Sequence, residues 1–135
     1  VIYVDSSVLL AQLFAEDRRP PRTLWDEPLI TSRLAEYEVW NRVHARDLAG
    51  SHGEAARELL ARISMVELSP IVLGRALEPF PTPVRTLDAL HLASLDYLLA
   101  QRLRVTLATY DARMAHAASR MSIPLEAGTA SPPAP

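Results

Sequence analysis

Four carboxylates, Asp5, Glu38, Asp88 and Asp111, stand at or near the ends of the elements that this sequence spells out. Asp5 follows the apolar run Val1–Val4 directly, in "VIYVDSSVLL". An ionised carboxylate at the mouth of a core strand costs several kcal/mol unless something pairs with it. Asp111 lies just past a second strand-like stretch, "RVTLAT". Ligands of parallel α/β sheets bind outside the carboxyl ends of the strands, so two central strands would aim these acids into one cleft. Glu38 sits in "AEYEVWNR" beside apolar Val39 and Trp40, and Asp88 sits in the first turn of a helix beginning "RTLDALHLA". At helical spacing Asp88 shares a face with His91, Leu92 and Leu95, the face expected to point inward. Three or four carboxylates on one rim repel one another when bare. A hard divalent cation resolves that repulsion, since Mg²⁺ takes oxygen ligands and keeps several waters. Held there, it polarises a phosphoryl oxygen and acidifies a bound water, and two ions can serve both oxygens of an in-line displacement.

Each acid taken alone also has a plain structural role. Asp5 and Asp111 are good N-caps for the helices that follow them. Glu38 can pair with Arg42 one turn on, and Asp88 can favour its helix N-terminus. His91 reads as a buried, satisfied histidine outside the ligand set, and Glu36, Asp47 and Asp96 read as solvated charges. The conjunction of the four points to a metal site.

The elements that must position them alternate between strand and helix, which argues for an α/β layered domain. A helix from Ser6 or Ser7 to Phe14 follows the first strand, and the proline-marked turn "EDRRPPRTLW" leads to a short helix near Trp25. "PLITS" is a second strand, and a helix is expected from Arg33 to Ala49 with Gly50 as its C-cap. A helix over Gly53–Ile63, the strand "SMVELS" and a short helix stopped by Pro79 come next. The strongest helix runs from about Val84 to Arg102. After "RVTLAT" come the helix "YDARMAHAASRM", a last short strand "SIPLEA" and a flexible tail over residues 128–135.

At 135 residues the chain suits one domain, residues 1–127 up to the tail. Hydrophobic residues make up 49% of it, enough for a core and too many for global disorder. No apolar run approaches the roughly 20 residues of a membrane helix, and no basic flank precedes the first one, so neither a span nor a signal peptide is expected. The absence of cysteine excludes disulfides and thiolate metal sites and suits a reducing cytoplasm. The net charge of -2 excludes a polycationic nucleic-acid glove, yet all 14 basic residues are arginine, the side chain that grips phosphate in a planar fork.

The segments "VIYVDSSVLLAQL", "TSRLAEYEVWNR", "RTLDALHLASL" and "TLATYDARMAHAA" followed by "IPLEA" together resemble the PIN-domain nucleases, and among them the VapC-type toxins of bacterial toxin–antitoxin pairs. They occur in family order and span nearly the whole chain to about Ala127. The resemblance implies a PIN-like three-layer α/β/α sandwich with a mainly parallel central sheet, usually homodimeric, and a cytoplasmic metal-dependent endoribonuclease using Mg²⁺, with Mn²⁺ as a substitute. It implies that Asp5 and Asp88 hold the metal and that Glu38 and Asp111 complete the catalytic set, in part through water. Ser7 and Thr109 then orient the first acid, and Arg113 contacts phosphate. The implied partners are an RNA substrate and a VapB-like antitoxin whose tail crosses the groove and presents an arginine to the acids.

Two other classes compete. A non-catalytic module with the same fold would use the acids only to receive a partner's arginine. An aspartyl-phosphate phosphatase would want a second Asp two residues after the nucleophile, where this chain has Ser7. The acids alone do not read a 2′-hydroxyl, so DNA stays open as a substrate.

Overall fold

Successive residues buried on both faces mark a central strand of a parallel sheet, because helices must cover each side. Ile2–Val4 is such a strand (β1), with Ile2, Tyr3 and Val4 all buried. In the computed structural model, which describes residues 1–129, it pairs in parallel with Leu29–Ser32 (β2) on one side and Thr106–Ala108 (β4) on the other. Ser64–Val66 (β3) extends the sheet beside β2, giving the order β3-β2-β1-β4 with every pairing parallel. Tyr3 is in register with Ile30 on one neighbour and Leu107 on the other.

Among the described residues six α-helices form the outer layers: α1 (Ser6–Leu13), α2 (Arg33–Ala45), α3 (Ala49–Ala61), α4 (Pro70–Ala76), α5 (Thr86–Ala100) and α6 (Ala112–Arg120). The period of two along the strands sorts the core into two clusters. Ile2, Val4 and Ala108 point toward Val8 and Leu9 of α1, Val39 and Val43 of α2, and Leu59 and Leu60 of α3. Tyr3 and Leu107 point the other way, toward Leu92 and Leu95 of α5 and Met114 of α6. The expected three-layer sandwich is therefore present, and its sheet is wholly parallel.

Local signals set most helix starts. Asp5, Ser32, Ser69 and Asp111 are N-caps whose side chains accept backbone N–H groups of the first turn. Several boundaries differ from expectation, two of them instructively. The helix expected to run from Arg33 to Ala49 stops at Ala45, and Gly50 lies inside the first turn of α3 instead of capping α2. The chain leaves α2 through Asp47, at φ 53°, with Leu48 N–H donating to Val43 O at 2.9 Å and Asp47 N–H to His44 O at 3.0 Å. This is the Schellman pattern with an aspartate in the left-handed position usually given to glycine. The last expected strand shrinks to one parallel bridge, Leu107 to Leu125, flanked by bonds to Pro124 and Glu126. Of the expected tail, Gly128 and Thr129 are described, Thr129 being buried, and residues 130–135 lie outside the described residues.

Asp47→Gly should raise stability in urea by up to about 1 kcal/mol, because the left-handed position is easy for glycine. Leu107→Ala, which opens a void between β4 and the helices α5 and α6, should lower it by about 2–5 kcal/mol.

Candidate active site

The chain moves from β1 outward to β2 and β3, then returns to the other side of β1 for β4, so the strand order reverses between β1 and β4. Crevices at such a reversal, beyond the carboxyl ends of the strands, are where parallel sheets bind ligands. Asp5 leaves β1 there, and its N–H donates to Ala108 O of β4 at 3.2 Å, locking the two strand ends together.

The Asp5 carboxylate is 3% exposed. Its Oδ1 accepts from Ser7 Oγ at 2.5 Å, Ser7 N–H at 3.1 Å and Val8 N–H at 3.3 Å, and its Oδ2 accepts from Thr109 Oγ1 at 2.5 Å. The two hydroxyls are aimed by bonds of their own: Ser7 Oγ accepts from Tyr110 N–H at 2.9 Å, and Thr109 Oγ1 from Asp111 N–H at 3.0 Å. Ser7 and Thr109 thus both donate to the Asp5 carboxylate, and Asp5 also caps α1. Burial pushes the Asp5 carboxyl up from its ordinary value, and the Ser7 and Thr109 donors only partly offset that effect.

Glu38 does not use Arg42 as its partner. Its Oε1 meets Nε2 of buried His91 at 2.5 Å, and Nδ1 of His91 meets the Tyr3 hydroxyl at 2.6 Å. Tyr3 is fully buried in the central strand, and burial drives its phenol far up, so it stays protonated. A protonated phenol donating to Nδ1 leaves Nε2–H to donate to Glu38. His91 therefore fixes the second acid from outside the ligand set.

Asp88 and Asp111 share a cation that sequence reasoning missed. Arg85, the residue before α5, donates from Nε to Asp88 Oδ2 and from Nη2 to Asp111 Oδ2, each at 3.1 Å. Asp111 Oδ1 caps α6, accepting from Arg113 N–H at 2.9 Å and Met114 N–H at 3.2 Å. The Arg113 side chain is exposed and does not line the acid cleft, whereas Thr109, which does not line it either, reaches the site through its bond to Asp5.

All four acids, with Ser7, Arg42, Arg85 and His91, line one cleft of about 370 Å³. A larger cavity of about 760 Å³ lies against α4 and Pro79–Pro83, but it holds none of the acids and is mostly apolar. Chemistry identifies the smaller one. Its all-oxygen, anionic donor set is the kind that hard divalent cations take. Among the described residues, however, no three His, Asp or Glu side chains are placed closely enough to hold a metal ion, and Arg85 stands between two of the acids. The donors fit a divalent cation in kind, but they are not gathered around one point here, and Arg85 is paired with two of them.

Residues 2–119 match the PIN domain family. Ribonuclease VapC46 of Mycobacterium tuberculosis (strain ATCC 25618 / H37Rv) is 36% identical over 130 residues, covering 90% of this chain and 93% of the relative. Ribonuclease VapC47 of Mycobacterium tuberculosis (strain CDC 1551 / Oshkosh) is 32% identical over 121 residues, covering 84% and 87%. The crystal structure of Mycobacterium tuberculosis VapC20, described as a sarcin-ricin loop cleaving toxin, superposes with a TM-score of 0.63 at 18% identity, covering 87% of this chain and 95% of that one. That last likeness concerns the fold.

Burial of Asp5 has a sign that can be checked. Its carboxyl titrates higher in the folded chain than in the unfolded one, so the folded state holds that proton more tightly. Stability from this group is greatest below the unfolded value near 4 and falls as pH climbs through the folded value. In EDTA, Asp5→Asn should be more stable than the parent at pH 7, and the gap should close toward pH 4 in urea unfolding. A gap that stays constant with pH would overturn the burial account.

Proposed function

The chain belongs to the PIN-domain family, and within it to the VapC-type ribonucleases, and on that premise we propose that it is a metal-dependent endoribonuclease, the toxin of a type II toxin–antitoxin pair. The observation that carries the reading is the convergence of Asp5, Glu38, Asp88 and Asp111 on one cleft at the reversal of a parallel sheet.

In this reading Asp5 and Asp88 hold a Mg²⁺ ion, for which Mn²⁺ can substitute, and Glu38 and Asp111 complete the donor set. When bound, the ion polarises the phosphoryl group and makes a neighbouring water more acidic. The chain's own residues supply position. Ser7, Thr109 and the first N–H groups of α1 hold Asp5 in one orientation, and the His91 bond holds Glu38. Arg85 neutralises Asp88 and Asp111 between turnovers, which limits their mutual repulsion.

The partners that go with the reading are RNA, a VapB-like antitoxin and a second copy of the chain, and the working compartment is the cytoplasm. Among the described residues no helix is long and apolar enough to cross a membrane. One observation favours a rival, a PIN-fold module that binds an antitoxin without cleaving. The pairing of Asp88 and Asp111 with Arg85 shows that these acids accept an arginine.

Purified protein incubated with total RNA should give discrete fragments with Mg²⁺ and none with EDTA. Asp88→Asn should lower the cleavage rate at least about a hundredfold. A folded, antitoxin-free sample that cleaves nothing with either ion would establish the rival.

Arg85→Gln should bind Mn²⁺ about fivefold more tightly in calorimetry, roughly the value of one competing charge at a few ångström in a wet cleft. Unchanged affinity would mean that Arg85 does not contest the ion.

A further inference from the structure

Helix α2 carries Glu38 and Arg42, and Arg46 caps its end, so the three stand at i, i+4 and i+8 along one ridge. That ridge starts at the acid cleft and ends in a second depression of about 410 Å³. Arg42 and Ser7 line both, so the two cavities adjoin at the side chain that donates to Asp5. Arg18, Arg46 and Tyr110 complete the polar wall, with Glu16 as its one acid.

The charges of this ridge differ from those nearby. Arg33, Arg75 and Arg85 are each held by a carboxylate. Among the described residues, neither Arg42 nor Arg46 forms an ion pair. Arg46 is held instead by stacking, its guanidinium 4.5 Å from the centre of the Phe14 ring. Stacking keeps that guanidinium steady while leaving its N–H fork for an anion. Beside it, the Arg18 guanidinium lies 4.9 Å from the centre of the Tyr110 ring. Two arginine forks next to a hydrolytic cleft, with an arginine–tyrosine stack alongside, have the makings of a nucleotide subsite: cations for phosphate and a flat platform for a base.

We propose that this depression binds the nucleotide adjacent to the scissile phosphate of single-stranded RNA, with Arg42 and Arg46 on its phosphate and the Arg18–Tyr110 stack against its base. The assignment rests on the ribonuclease reading and adds the path of the strand, from the acids along α2 toward Arg46. It also accounts for RNA binding by a chain of net charge -2, because Arg42 and Arg46 gather positive charge on one side of the cleft.

The test is binding, so it does not depend on cleavage. Fluorescence anisotropy with a labelled single-stranded RNA is followed in EDTA across a salt series. The proteins are the parent, Arg42→Gln/Arg46→Gln, and Arg104→Gln as a control. Arg104 precedes β4 and so lies at the opposite edge of the sheet from the acids. The plot of log K against log salt should become shallower by about 0.7 for each phosphate that the double variant no longer neutralises, and the control should keep the parent slope. A double variant with the parent slope, or one matched by Arg104→Gln, would overturn the subsite. If metal-dependent cleavage of RNA persists in that case, the ribonuclease reading stands and only the subsite falls. A parent protein that binds no RNA at all would sink both.

Discussion

Everything at the carboxyl edge of this sheet answers to one cost, that of keeping the Asp5 carboxylate out of water. A group with 3% exposure must have nearly all its lone pairs satisfied from within. The chain meets that demand with the start of α1 and with two hydroxyls, one from each side of the strand reversal. Those hydroxyls are themselves fixed by the backbone of residues 110 and 111. Placing Asp5 therefore also fixes where β4 ends, where α6 begins and where Asp111 stands. Asp5 itself ties the two strands together, through its N–H to Ala108 O and its carboxylate to Thr109.

Around that fixed point the remaining acids are balanced by different means. Glu38 is held by an imidazole backed by a buried phenol, which steadies it from within the core. Asp88 and Asp111 receive a full positive charge from Arg85, a residue 60% exposed on its side chain. An exposed counter-charge is weakly held, since each pair is screened by water. One half of the cleft is thus held by buried hydrogen bonds, and the other by an exposed, screened ion pair.

The architecture and the four acids were legible in the sequence because their signals are local. Apolar runs of three or four residues marked the strands, and Asp or Ser before a helical period marked the caps. What escaped depended on residues far apart in the chain. Arg42 stands four residues from Glu38, but helical spacing brings side chains near each other without deciding which way they turn. His91, 53 positions away, captured the carboxylate. Arg85 was passed over because its second partner, Asp111, lies 26 residues on and meets it only through the return of β4. The end of α2 was misplaced because Gly50 is the stronger local signal, whereas the Schellman bonds use Asp47. The stripe Glu38–Arg42–Arg46 was available from spacing alone, and its meaning needed the neighbouring cavity.

The two hydrophobic clusters meet only through a sheet whose strands are three or four residues long. Asp5 and Glu38 belong to the helices of one cluster, and Asp88 and Asp111 to those of the other. The cleft is consequently a seam, and anything that grips acids from both sides acts as a rivet across it. Its occupancy and the cohesion of the two halves are then a single thermodynamic quantity read from two ends.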